Sequence, residues 1–160
     1  MLWRKKNYDE AISLCNKAIE ASPMYPNGYN LRGVIYDLKG QYDKAIADYS
    51  TAIKFNAYNA LIYYNRGNTY YKKSDFDSAL EDFTKAIEIS PKLTAPYSTR
   101  CAVYFVKGKY DLAVNDCSKA IELEGSKASL YRDRAVVYDK MGRKDLAKAD
   151  RETADKLSKQ

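Results

Sequence analysis

One arginine constrains this chain more than any other feature, because it returns every 34 residues, at Arg32, Arg66, Arg100 and Arg134. Other positions keep the same step. Tyrosines recur at Tyr29, Tyr63, Tyr97 and Tyr131, and again at Tyr36, Tyr70, Tyr104 and Tyr138. Alanines recur at Ala11, Ala45, Ala79, Ala113 and Ala147, and at Ala18, Ala52, Ala86, Ala120 and Ala154. Small residues stand at Gly33, Gly67, Cys101 and Ala135, and turn-formers at Gly40, Ser74, Gly108 and Gly142. So many coincident series mark an internal repeat, and a repeat of this length implies units that stack on their neighbours.

Within one block, residues 60–93, apolar and small side chains fall at helical spacing: Tyr63, Gly67 and Tyr70, then Phe76, Ala79, Leu80, Phe83, Ala86 and Ile87. The polar stretch KKSDFD between them suits a tight turn. Each block is therefore expected to be two antiparallel helices, a first and a second. Small residues let the two approach closely, and aromatics fill the gaps. One hairpin cannot bury its apolar face alone, so stacking completes the core.

The block residues Tyr63, Gly67, Tyr70, Phe76, Ala79, Phe83, Ala86 and Pro91 closely resemble the tetratricopeptide repeat (TPR). The resemblance spans one domain, 1–160: a partial repeat over 1–25, then repeats over 26–59, 60–93, 94–127 and 128–160. Departures are few. Ala57 and Gly125 stand for the terminal proline, and Lys144 and Arg151 for two aromatics in the last block. The resemblance implies an all-α, right-handed superhelical solenoid of antiparallel helix pairs.

Each recurring arginine has an aspartate 16 residues later: Arg32 with Asp48, Arg66 with Asp82, Arg100 with Asp116, Arg134 with Asp150. Mid-helix positions of a hairpin can face one another, and a guanidinium can meet a carboxylate through two parallel hydrogen bonds. Four matched pairs read as structural ion pairs, not as a catalytic arginine. In residues 1–25 the arginine's register falls before Met1, and Leu14 holds the aspartate's register. A buried aspartate without its cation would be costly, so leucine fits, and the shortened start reads as native.

Chemistry finds little footing. The chain has no histidine, which removes Ser-His and Cys-His pairs and most zinc sites. No glycine-rich phosphate loop appears, and no cofactor, catalytic residue or metal site is expected. Cys15, Cys101 and Cys117 form no C-x-x-C pair, and three is an odd number. They read as buried, inert thiols without a disulfide framework, in keeping with a reducing compartment. Cys101 and Cys117 share a hairpin, with no positive sign of pairing. The net charge of +6 is spread along the blocks, the largest share being +3 over 128–160, with no basic stripe for nucleic acid. No 18-residue apolar run and no leader-like start point to a membrane or to secretion, so a cytoplasmic setting is expected.

The resemblance places a peptide-binding groove on the first helices, which implies a non-enzymatic adaptor or scaffold for a peptide or protein. Twelve tyrosines belong to framework series or their equivalents, whereas Tyr64 and Tyr71 fall at groove positions, with Phe105 one repeat beyond Tyr71. These three, with Leu61, Ala102 and Val106, would form an apolar floor. Asn30, Asn65 and Asn68 could hold an extended backbone, and Lys72, Arg132 and Lys140 could meet carboxylates. Members that clamp chaperone C-termini use lysines and an arginine in this face. The equivalent positions here, read from either of two starting blocks, are Asn30, Val34, Asn65, Ala95 and Thr99 or Tyr64, Asn68, Thr99, Ser129 and Asp133. Neither set supplies the cations, so that activity is not implied.

The two ends differ. Lys148, Arg151 and Asp155 make the last helix polar on its outer face, as a capping repeat requires. Residues 1–19, with Leu2 and Trp3, leave an apolar face without its hairpin partner, so self-assembly into a homo-oligomer through this end is the alternative function.

Overall fold

The structure, a computed structural model, describes residues 2–159, with side chains described from Asn7 onward. Among the described residues the regular structure is all helical, and the chain divides into two compact units, 1–89 and 90–160. The first unit contains α1 (Leu2–Ala21), α2 (Pro26–Leu38), α3 (Tyr42–Phe55), α4 (Ala60–Lys72) and α5 (Phe76–Ile89). The second contains α6 (Thr94–Val106), α7 (Tyr110–Glu124), α8 (Ala128–Lys140) and α9 (Lys144–Leu157). Hairpin partners pack most closely: α2 with α3, α4 with α5, α6 with α7, α8 with α9. Inside each unit the hairpins stack second helix to first, α3 on α4 and α7 on α8, while α1 packs on α2. Side chains of α1 before Asn7, Trp3 among them, lie outside the described residues.

The turn series has a clear cause. Gly40, Ser74, Gly108 and Gly142 all have positive φ, between 62° and 73°. After α2, the Gly40 N–H donates to the Asp37 carbonyl and the Gln41 N–H to the Tyr36 carbonyl, both at 2.9 Å. The same pair of bonds closes α4, α6 and α8, so each first helix ends in a Schellman turn whose left-handed residue is the turn-former. Ser74 is the one case carrying a side chain in that conformation.

The alanine series sit where helix axes come close. Ala45, Ala52, Ala79, Ala86, Ala113, Ala120, Ala147 and Ala154 are all 0% exposed. The small-residue series faces the second-helix aromatic. A Cβ on Gly33 would fall 2.8 Å from the Tyr49 ring, and one on Gly67 2.8 Å from the Phe83 ring. At the same two registers in the next hairpin stand Cys101 and Cys117, joined by a disulfide with Cα atoms 5.5 Å apart. This corrects the expectation of inert thiols. Where the two hairpins of the first unit oppose a glycine to an aromatic ring, two cysteines replace both and bridge α6 to α7 covalently. The argument from cysteine usage for a reducing compartment goes with it. Cys15 alone stays free and buried, its thiol pushed up by burial, which keeps it protonated.

The arginines fasten this frame. Arg66 Nε and Nη2 donate to Asp82 Oδ2 and Oδ1 at 2.8 Å each. Equivalent two-pronged pairs join Arg32 to Asp48, Arg100 to Asp116 and Arg134 to Asp150, at 2.6–2.9 Å. The aspartates are 4–7% exposed. In three of the four the third nitrogen reaches back to the preceding helix of the stack. Nη1 donates to Asn16 Oδ1 from Arg32, to Ser50 Oγ from Arg66 and to Ser118 Oγ from Arg134. Tyrosines of the two series flank the guanidinium, as when the Arg66 carbon lies 5.8 Å from the Tyr63 ring and 5.9 Å from that of Tyr70. Hydrogen bonding to the aspartate is the main cause raising Arg32 and Arg134 above the ordinary arginine value. Leu14, at the aspartate's register in α1, is 62% exposed. The cost of burying an unpaired carboxylate does not operate there, so that explanation of Leu14 fails.

Candidate functional site

The first helices carry the candidate residues, and the two units are taken separately. In residues 1–89, Asn30 on α2 and Asn65 on α4 are brought together, the Asn65 amide donating to Asn30 Oδ1 at 3.2 Å. Lys72 forms an ion pair with Asp37 across the same two helices, and Thr69 donates to the other oxygen of that carboxylate at 2.8 Å. Lys72 is thus already engaged and is no free cation for a ligand carboxylate. Tyr64 and Tyr71 are half-buried, their rings tilted against Phe83 at 6.0 Å and Phe76 at 5.7 Å. Asn68 is half-buried on α4 between them.

Several aliphatic side chains of this face stand open to solvent. Leu31, Leu38 and Leu61 are 55%, 58% and 50% exposed on the first helices of this unit. Sequence reasoning missed Leu31. Its register is that of Asn65, Thr99 and Asp133, so the 34-residue step was the signal that could have found it.

In residues 90–160 a concavity of about 330 Å³ opens between α6 and α8. Ser98, Ala102 and Phe105 line it from α6, and Asp133 and Val136 from α8, with Cys101 of the disulfide in its wall. Phe105 is half-buried and tilts against Tyr110 at 5.8 Å. The small side chains of Ser98 and Ala102 create the hollow, and Val136, 47% exposed, edges it.

The cations of this unit are largely committed. Arg132 lies 2.8 Å from Ser158 Oγ and 3.7 Å from Asp155, both at the end of α9. Arg134 belongs to the buried pair with Asp150. Asp139 is taken by Arg151. Lys140 is exposed at the end of α8. Asp133, between the two engaged arginines, has no ion pair or hydrogen bond among the described residues. Its carboxyl is pushed above the ordinary aspartate value by desolvation alone, with no cation offsetting it.

Among the described residues no group of histidine, cysteine and acidic side chains could hold a metal ion, and no helix is long and apolar enough to cross a membrane.

Comparison with known proteins places the repeat. Residues 60–93, 14–47 and 1–23 match family models described as tetratricopeptide repeats, and residues 35–74 match one described as a TPR repeat. No curated protein matches the chain. Among solved structures it is similar to MamA, at 21% identity and a TM-score of 0.90 over 98% of this chain and 91% of that one. It is similar to YrrB, described as a TPR protein with an unusual peptide-binding site, at 19% identity and a TM-score of 0.80 over 98% and 80% of the two chains. A third is BtubC from P. vanneervenii, at 19% identity and a TM-score of 0.88 over 98% and 75%. At these identities the likeness is one of fold: an all-α helical repeat.

Proposed function

The chain belongs to the tetratricopeptide repeat family, and from that premise we propose that it is a non-enzymatic adaptor binding a peptide or protein segment along its first helices. One observation carries this reading. The exposed aliphatic side chains of the first helices, Leu31, Leu38, Leu61, Val106 and Val136, all fall at registers the family uses for its groove, beside half-buried Tyr64, Tyr71 and Phe105. Apolar side chains left open beside aromatic anchors and side-chain amides suit recognition of an extended segment. The peptide-binding site named for YrrB agrees in kind.

The test uses two single variants, since the face is carried by both units. Tyr71→Ala reports on residues 1–89 and Phe105→Ala on 90–160. Each is run beside wild type in affinity capture, with circular dichroism to confirm folding. A partner kept by wild type, lost by either variant and rebound as a purified fragment supports the reading. Equal retention by all three sinks it.

A second reading rests on α1. Leu14 and Ala18 are exposed at registers that are buried in the other second helices. Self-association through this face is the corresponding function. Light scattering at two concentrations tests it: a dimer abolished by Leu14→Asp supports it, and a strict monomer removes it.

A further inference from the structure

The hollow between α6 and α8 has apolar walls, built from Phe105, Ala102 and Val136, yet a carboxylate stands among them. Building on the peptide-binding reading, and resting on it, we propose that this hollow receives a lysine or arginine side chain of the bound peptide, its aliphatic stem against Phe105 and Val136 and its charged end on Asp133.

The alternatives are worse for stated reasons. A purely apolar side chain would desolvate Asp133 further and leave it unpaired, which is costly. An acidic side chain would meet it with like charge. A long cationic side chain buries a stem and presents a charge, which is the pattern of this lining. The protein itself does not supply the cation. The neighbouring Arg132 is held toward Asp155 and Ser158, and Arg134 toward Asp150 and Ser118. Asp133 is the acidic side chain of this face left without a partner, since Asp139 is occupied by Arg151. The Ser98 hydroxyl, in the same lining and without a hydrogen-bond partner among the described residues, adds an acceptor for an ammonium or guanidinium. The preference runs opposite to the one implied by Lys72 and Arg132, both of which are engaged within the protein.

The experiment measures binding of the full chain to fluorescein-labelled, acetylated hexapeptide pools. Each pool has one fixed residue, arginine, lysine, norleucine or glutamate, and the rest randomised. Wild type should hold the arginine and lysine pools about tenfold more tightly than the norleucine pool, and the glutamate pool least. Asp133→Asn should remove that advantage, partly by letting the norleucine pool bind more tightly than it does to wild type, while Asp133→Glu should keep part of it. Equal binding of all pools by wild type, or a cation preference that survives Asp133→Asn, overturns the proposal and leaves groove binding standing. No pool held by wild type above Phe105→Ala would remove groove binding on this unit, and this proposal with it.

Discussion

A guanidinium with five donors can serve two neighbours at once, and Arg32, Arg66 and Arg134 each do so. Two nitrogens grip the aspartate of the arginine's own hairpin, and in Arg32, Arg66 and Arg134 the third nitrogen reaches the preceding helix of the stack. Arg66→Ala would leave Asp82, 4% exposed, buried without its cation. A loss of about 3–5 kcal/mol in denaturant melts is the expected outcome; a loss below about 1 kcal/mol would mean that the pair behaves as a surface one. Asp133 makes the opposite case. Its folded-state pKa is raised by desolvation although the residue is exposed, so its ionised form costs the fold a small, solvent-screened amount of stability. The favourable contribution is complete below the unfolded-state value and is lost as pH rises through the folded-state value. Asp133→Asn should therefore melt no lower than wild type at pH 7, and wild type should gain on the variant as pH falls through the carboxylate range. Thermal melts of the two across that range decide it. The arginine and aspartate are readable from the sequence, because both residue types repeat without change. Asn16, Ser50 and Ser118 keep the same step but change type, and only the function they share, a side-chain oxygen, unites them. Asp133 is readable as a position and not as a free carboxylate, since that depends on where Arg132 and Arg134 point.

Between helices, what faces what decides the outcome. The period places Cys101 at the small-residue register and Cys117 at the aromatic one, and each reads there as a stand-in for its own series. The missing step is that the two registers touch. Gly33 against Tyr49 and Gly67 against Phe83 show the contact, and in the third complete hairpin it becomes a bond. A bridge across 16 residues removes freedom from the unfolded chain, and reduction should cost about 3 kcal/mol in the chain-entropy account. Denaturant melts with and without dithiothreitol measure this. Coincident midpoints would mean that α6 and α7 are held by packing alone. The turns, by contrast, are fully legible, since a residue of positive φ is needed wherever a first helix ends in this way, and Gly40, Ser74, Gly108 and Gly142 mark all four.

At the scale of the whole chain, a repeat array is stable where each element has both neighbours and weaker where one is lacking. The second helices supply an internal scale. In α3, α5, α7 and α9 both alanines of the series are 0% exposed. In α1 the equivalent Ala11 is half-buried and Ala18 exposed, and Leu14 between them is 62% exposed. The same sequence register therefore yields a closed face in four helices and an open one in the fifth, in line with the uncovered apolar face expected over residues 1–19. Fewer buried contacts mean that α1 opens at lower cost than α3 within the same unit. Amide hydrogen exchange should accordingly show α1 exchanging well before α3. Repeating the measurement at tenfold higher protein concentration adds a second readout. Protection of α1 that grows with concentration would mean that another copy covers Leu14 and Ala18, and would favour self-association through this face. Fast exchange that ignores concentration would leave the face bare and the binding reading on the first helices unopposed. Equal protection of α1 and α3 at every concentration would contradict the premise that burial at these registers sets local stability.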